Sequence, residues 1–343
     1  MIKIKLTNKH DKYDYSSLRR CFGGLVRSQN ILKECSIELV TGGSYDYEFL
    51  DKNCFMDRHK PLSQSIEEGI NNLINKTGDY FLFDGGDDTS LMASYEVFTQ
   101  SNAKGLFKPQ LLNRKDYKTP SFLGMWFRNE SHNNLSYNIP KKVWKNINLC
   151  GYNLGHAHPN LTSQLYPQQP KDIDVVGIWQ GKHKYNKDYG VENYLGYTNH
   201  RTSCWDILNQ LKDKYNIVTG QYDPNITFNT LSRSRIGVSP FGQGELCFRD
   251  FEIIQHNALL IKPDISKIKT SPNWLIPYET YIPCKLDWSD LNEIIINILS
   301  DFKKYKHVIE NAKQKMIESY KLEHVGMHWY NFFTNLDGIT NEK

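Results

Sequence analysis

Ser239-Pro-Phe-Gly-Gln-Gly-Glu-Leu-Cys-Phe-Arg-Asp-Phe-Glu252 decides how this chain is read. It follows a short apolar run, Arg235-Ile-Gly-Val-Ser239, and precedes another, Ala258-Leu-Leu-Ile-Lys262. The pattern predicts strand, glycine loop, helix, strand. The first N–H groups of a helix lack internal partners and carry the positive end of its dipole, so such a junction suits an anion. Gly242 and Gly244, on either side of Gln243, let a ligand approach the backbone closely. Glu245, Arg249 and Glu252 are spaced four and three apart and are predicted to share one helical face. Cys247, Phe251, Ile254 and Ala258 fall on the opposite, apolar face. An arginine fork suits a diphosphate, and a carboxylate suits the two hydroxyls of a ribose. The same spacing also describes a Glu–Arg–Glu ion-pair ladder on a solvated helix, and spacing alone does not separate the two.

Outward from this stretch, the chain of 343 residues is long for one core and suits two domains. With 39% apolar and 23% charged residues it is globular in composition. A net charge of +4 fits a small anionic ligand and lacks the concentrated basic stripe of a nucleic-acid binder. No apolar run has signal-peptide or membrane-span length, so a soluble, cytoplasmic protein is expected. Seven cysteines are scattered without a C-x-x-C pair, which points to free thiols in a reducing compartment and away from a zinc site.

In the first half, Ile2 to Leu6 and Ser36 to Thr41 read as strands. Tyr15 to Lys33 reads as a helix interrupted at Gly23-Gly24, and Pro61 to Lys76 as a helix with an apolar stripe of Ile66, Ile70, Leu73 and Ile74. Asp79-Tyr-Phe-Leu-Phe-Asp-Gly-Gly-Asp-Asp-Thr89 follows: a buried strand with an acidic cluster at its carboxyl end, where open α/β sheets bind ligands. Crowding of Asp84, Asp87 and Asp88 can raise one carboxylate's pKa and make a general base. A polar turn in which Asp88 caps the next helix accounts for the same residues. Leu106 to Leu112 is a further strand or turn. Thr119 to Pro170 shows little periodicity and reads as long loops. Its His156 and His158 have no third ligand of suitable spacing, which favours a loop over a metal site.

In the second half, strands are predicted at 172–179, 216–220, 235–239 and 258–262. Helices are predicted at 200–215, 225–232, 287–304 and 307–320. A last helix from Leu322 to Leu336 carries Trp329, Phe332 and Phe333 and has much apolar surface to bury. Alternating strand and helix imply a parallel sheet in each half.

At this point the second half is similar to a known family. From His200-Arg-Thr to about residue 320 it resembles the C-terminal domain of GT-B fold glycosyltransferases, nearest to group-1-like and exostosin-like proteins. The residues that carry the resemblance are Ser234-Arg-Ile-Gly-Val-Ser-Pro-Phe-Gly-Gln-Gly-Glu245, Arg249-Asp-Phe-Glu252 and Leu260-Ile-Lys-Pro-Asp264. The first half resembles such proteins only through Phe83-Asp-Gly-Gly-Asp-Asp-Thr89 and Phe107-Lys-Pro-Gln-Leu111. The resemblance implies an α/β GT-B architecture, two Rossmann-like domains facing a central cleft. Residues 1–168 would form the acceptor side and 169–322 the nucleotide-sugar side, with 323–343 returning to the first domain.

It also implies a function, transfer of a sugar from a nucleoside-diphosphate sugar to a glycan or other hydroxyl acceptor. No tightly bound cofactor, metal or nucleic-acid partner is implied. Ser239, Gly242, Gln243, Gly244 and Glu245 would cradle the donor. Arg249 would neutralise the departing phosphate, Glu252 would hold the ribose, and Lys262 and Asp264 would border the base or sugar pocket. Many retaining members carry two glutamates separated by seven intervening residues. Here six residues separate Glu245 from Glu252, so a retaining mechanism does not follow. An inverting enzyme needs a first-half base, for which Asp87 and then Asp84 are the candidates. Two other readings stay open: an epimerase or hydrolase acting on sugar nucleotides, and a non-catalytic protein that binds them.

Overall fold

The structure is a computed structural model that describes residues 1–8, 22–55, 62–86, 89–91, 94–118, 137–151, 165–167, 169–181, 195–242 and 244–340. Its first half is built on six strands: β1 (Ile2–Thr7), β2 (Ile37–Val40), β3 (Tyr47–Asp51), β4 (Tyr80–Phe83), β5 (Gly105–Lys108) and, after β6 (Gln110–Leu112), β7 (Ile147–Leu149). They lie in the order β2-β1-β3-β4-β5-β7, and every pairing is parallel. β3, β4 and β5 are buried along their whole length, as a parallel sheet covered on both faces requires.

β3 does not show in the sequence because its second residue, Glu48, breaks the apolar pattern. The fold neutralises that carboxylate with Lys76 Nζ at 2.7 Å, Lys5 Nζ at 3.1 Å and the Thr7 hydroxyl at 2.6 Å. β7 and the short helix Lys141–Trp144 fall inside the stretch expected to be long loops. A strand of three residues carries too little periodicity to be seen, and its pairing with β5 is what defines it.

The second half is a five-stranded parallel sheet in the order β13-β11-β10-β8-β9. Its strands are β8 (Ile173–Ile178), β9 (Ile217–Gly220), β10 (Ser234–Val238), β11 (Leu259–Pro263) and β13 (Ile282–Cys284). β8 to β11 match the expected strands to within two residues, whereas β13, three residues long, was not expected and is defined by its pairing with β11. Between β11 and β13 the chain makes β12 (Ile268–Thr270), which pairs antiparallel with β6 of the first half. That small ladder is one covalent-chain-independent tie between the halves.

The last helix, Leu322–Thr340, packs on the first sheet, as the resemblance implies. Trp329 and Phe333 are fully buried among Phe49, Phe81, Phe83 and Phe107. Trp329 stacks on Phe83 at 6.2 Å between ring centroids, and Phe332 meets Phe107 edge to face at 4.8 Å. Gly326 lets this helix approach closely, because a Cβ there would sit 2.8 Å from Ile31 Cγ2. The aromatic face predicted to need burial is therefore covered by the opposite half of the chain.

Candidate functional site

The glycine loop begins where β10 ends. Gly237 in β10 leaves space for Ile253, since a Cβ at 237 would lie 2.5 Å from Ile253 Cγ1. The helix Phe248–Gln255 consequently lies tight against the strand, with Phe251, Ile253 and Ile254 fully buried. Residues 239–247 must then turn sharply at the carboxyl edge of the sheet. The Gly242 N–H donates to the Gly244 carbonyl at 2.9 Å, which closes the turn on itself. A Cβ at Gly242 would lie 3.3 Å from Cys247 Cβ and 3.4 Å from Arg201 Nη2, so a side chain there would crowd the loop. Gln243 lies outside the described residues.

Three expectations for this loop change in the structure. First, the helix begins at Phe248, so Glu245 is not on its polar face. Glu245 is fully buried in the loop and accepts two hydrogen bonds from the first half, from the Thr89 hydroxyl at 2.8 Å and from the Thr89 N–H at 3.1 Å. Second, the helix's own Asp250 already uses its amino-terminal end. Its carboxylate accepts from the Cys247 N–H at 3.0 Å and from the Ser239 hydroxyl at 2.6 Å. Third, Lys262 pairs with Asp250 and donates to the Glu245 carbonyl at 2.8 Å. Ser239, Asp250 and Lys262 are fully buried, so the Ser239 hydroxyl and the Lys262 ammonium are engaged in bracing the loop. A buried lysine needs a carboxylate partner, and Asp250 is the one within reach.

Arg249 and Glu252 do share a face. Arg249 Nη1 lies 2.8 Å from Glu252 Oε2, without the alignment of a hydrogen bond. Nε of the same guanidinium is buried with no acceptor among the described residues. The expected ion pair is thus present, and the guanidinium keeps donor capacity beyond it.

Behind the loop stand two residues that the sequence reading did not assign. Arg201 donates from Nε to the Phe241 carbonyl at 2.9 Å and from Nη1 to the Gln180 carbonyl at 2.9 Å, tying the end of β8 to the loop after β10. The Phe241 N–H donates to His200 Nε2 at 3.2 Å. The His200 ring stacks on Trp288 at 4.7 Å between centroids. Burial, helped by the adjacent Arg201 charge, pushes the His200 pKa down to about 3, so the ring stays neutral and accepts that bond. The signal available was His200-Arg-Thr, where the family resemblance starts.

On the first sheet the carboxyl ends of β3, β4 and β5 lie side by side, with Asp51 partnering Phe83 and Phe83 partnering Phe107. Asp84 is fully buried there. Lys52 Nζ is 2.9 Å away, Lys108 Nζ is 3.3 Å away, and the Ser94 hydroxyl donates to it. Burial alone would raise the Asp84 pKa, but Lys108, Lys52 and Ser94 together hold it far below the usual carboxylate range. Asp84 therefore does not fit the expected role of proton acceptor; it is an ion that anchors the strand ends.

Asp51, which was not singled out, sits buried at the end of β3 with Asn53 donating to one oxygen. Burial raises its pKa, so it takes a proton more readily than a free aspartate. Asp87, Asp88, His156 and His158 lie outside the described residues. Asp264 caps a tight turn, accepting from the Ser266 N–H at 2.8 Å. Among the described residues, no three His, Cys, Asp or Glu side chains gather where they could hold a metal ion, and no helix is long and apolar enough to cross a membrane.

No family model matches the sequence, and no curated protein matches it. Solved structures are similar to it along nearly the whole chain. HepE from Anabaena, in complex with UDP and glucose, aligns with a TM-score of 0.51 at 9% identity, over 98% of this chain and 100% of that one. An alpha-glucosyltransferase in complex with UDP aligns at 0.42 with 10% identity, over 97% of this chain and 100% of that one. A glycosyltransferase from Rickettsia africae aligns at 0.41 with 13% identity, over 97% and 98%. At such identities the likeness is one of fold. Two parallel α/β sheets with their carboxyl edges turned toward a shared junction, and a last helix returned to the first sheet, give this chain the GT-B fold.

Proposed function

We propose that the protein transfers a sugar from a nucleoside-diphosphate sugar to a glycan or other hydroxyl acceptor. Residues 1–168 would serve the acceptor side, 169–322 the donor side, and 323–343 the return. The observation that carries this reading is the junction itself. A glycine loop at the carboxyl edge of the second sheet leads into a helix whose Arg249 keeps a buried Nε donor without a partner among the described residues, and the loop is hydrogen-bonded through Glu245 to Thr89 of the first half. The bound UDP and glucose of the HepE structure, a fold neighbour, support a sugar nucleotide as the donor class.

In this reading the backbone of Gly242 and Gly244 receives the diphosphate. Arg249 stabilises the charge that develops on the leaving phosphate, where an oriented cation in a site partly shielded from water is worth more than in bulk solvent. Glu252, set by its contact with Arg249, accepts from the ribose hydroxyls. Asp87 stays a candidate acceptor base. A net charge of +4 spread over 343 residues supports a small anionic donor over a nucleic-acid acceptor. The six described cysteines are free thiols, which supports a reducing compartment.

The test is a thermal-shift series with UDP, GDP, dTDP and CMP, followed by product analysis with the matching donor, with and without acceptor. A ligand at about 100 times its Kd stabilises by about 2.7 kcal/mol. Arg249→Ala is expected to lower transfer by about a hundredfold, the size of one lost electrostatic stabiliser. Unchanged turnover in that variant would remove Arg249 from the mechanism. Conversion of the donor without acceptor would favour the epimerase or hydrolase reading. Binding without conversion would favour a non-catalytic one.

A further inference from the structure

Thr89 stands where two connections between the halves converge. Its N–H and hydroxyl grip both oxygens of Glu245, the residue that ends the glycine loop. The Thr89 carbonyl accepts from the Tyr117 hydroxyl at 2.8 Å, and Tyr117 in turn accepts from the Leu112 N–H at 3.0 Å. Leu112 belongs to β6 and partners Ile268 of β12 in the second half. On the far side, the Glu245 carbonyl accepts from Lys262, which pairs with Asp250. A continuous buried chain thus runs from the β6·β12 ladder through Leu112, Tyr117 and Thr89 to Glu245 and the base of the glycine loop. Thr89, Glu245, Lys262 and Asp250 are all fully buried.

We infer that Thr89 is a positioning residue that fixes the donor loop against the acceptor side of the molecule. A buried carboxylate gripped at both oxygens tolerates little displacement, because each bond to a charged group is strong and its loss leaves the charge unpaired. The glycine loop is therefore not set by its own half alone. Its height above the first sheet is fixed by an atom pair belonging to the first sheet. In the proposed reading the nucleotide is held by the second half, so its binding does not need this clip. Bringing the donor sugar to the acceptor does need it. An error of about 1 Å between reacting groups costs on the order of a hundredfold in rate. This inference rests on the glycosyl-transfer reading for its kinetic consequence, but not for its structural one.

The experiment uses Thr89→Val, which keeps the shape and the N–H but loses the hydroxyl donor, and Thr89→Ser, which restores that donor. Thr89→Val is expected to lower kcat by roughly ten- to a hundredfold, matching one bond to a charged group. The donor KM and the nucleotide-induced thermal shift should stay as in the wild type, and Thr89→Ser should recover kcat to within about threefold. Equal kcat in Thr89→Val, or a fall in nucleotide affinity that parallels the fall in kcat, would overturn the inference. If Thr89→Val does not fold, Tyr117→Phe, which frees the Thr89 carbonyl, carries the same test.

Should the wild type turn over no donor, the transfer reading fails and hydrogen exchange decides the clip. Amides 241–247 should exchange faster in Thr89→Val than in the wild type, while those of β10 and β11 do not change. Unchanged exchange at 241–247 would overturn it.

Discussion

Asp84→Asn separates an anchoring ion from a catalytic base, and the structure sets the size of the effect. The substitution removes the charge faced by two lysines. Lys52 is 22% exposed and can turn to water, whereas Lys108 is 1% exposed and cannot. Removing one partner of a buried pair costs about 3–5 kcal/mol, and the solvent-accessible Lys52 argues for the lower end, about 3 kcal/mol. Unfolding entropy near 60 °C is about 2.1 cal/mol/K per residue, or about 0.7 kcal/mol/K for the 343-residue chain. The melting temperature should therefore fall by about 4 °C if the chain melts as one unit, and by about 8 °C if the first half melts separately.

Scanning calorimetry at pH 7 measures this directly. The double variant Asp84→Asn, Lys108→Met should recover much of the loss, because it removes the stranded ammonium as well. The pH dependence has a definite sign. A carboxylate whose folded pKa is depressed contributes stability that is fully present above its unfolded value of about 3.9 and is lost as the pH falls below it. The gap between wild type and Asp84→Asn should accordingly be constant from pH 8 to 5 and shrink below about pH 4. An Asp84→Asn protein that melts with the wild type but has lost transfer would refute the anchoring role and return Asp84 to the catalytic candidates.

Two buried histidines predict a second pH effect. Burial pushes His200 down to about 3 and His256 down to about 4, so between those values and about 6.5 the unfolded chain binds protons that the folded chain refuses. Stability should then fall on acidification from pH 6.5 by about 1.4 kcal/mol per pH unit for each ring, measured by chemical denaturation. His200→Gln should reduce that slope by one proton's worth, and an unaltered slope would show that His200 is not the group responsible. Trp329→Ala, which empties a fully buried site between the returned helix and the first sheet, should cost about 3–5 kcal/mol and lower the melting temperature without changing nucleotide affinity. A Trp329→Ala protein as stable as the wild type would mean that the last helix is not held on that sheet.

Much of the second half was legible because most of its strands are short, mainly apolar and bounded by turn residues. The run from Leu259 to Pro263 is an example: five buried positions in sequence leave a strand as the natural reading. β3 was not legible, since Glu48 and Asp51 interrupt its pattern and their partners come from β1, from residue 76 and from the short helix Lys52–Phe55 beyond the strand. The site divided in the same way. Arg249 and Glu252 are three residues apart on one helix, so local geometry alone brings them together. Glu245 was misplaced because spacing cannot show where a helix begins. Asp250, three positions past Cys247, closes a capping box there and fixes the start at Phe248.

By itself the sequence determined what is local: the alternation of strands and helices, the glycine turn at residues 242–244, the pairing of Arg249 with Glu252, and an aromatic last helix in need of a partner. Those depend on backbone geometry over a few residues, which periodicity and turn chemistry report. Only the tertiary structure decided which charges are free to act. Lys262 and Ser239 look like ligand contacts in sequence and are consumed by Asp250. Asp84 looks like a base and is neutralised by lysines located 32 positions before it and 24 after it. Thr89 attracts no notice until its hydroxyl meets Glu245 from 156 residues away. Burying a charge is so costly that the fold must find each one a partner, and the partner is chosen by strand register and the meeting of the two halves, not by proximity along the chain.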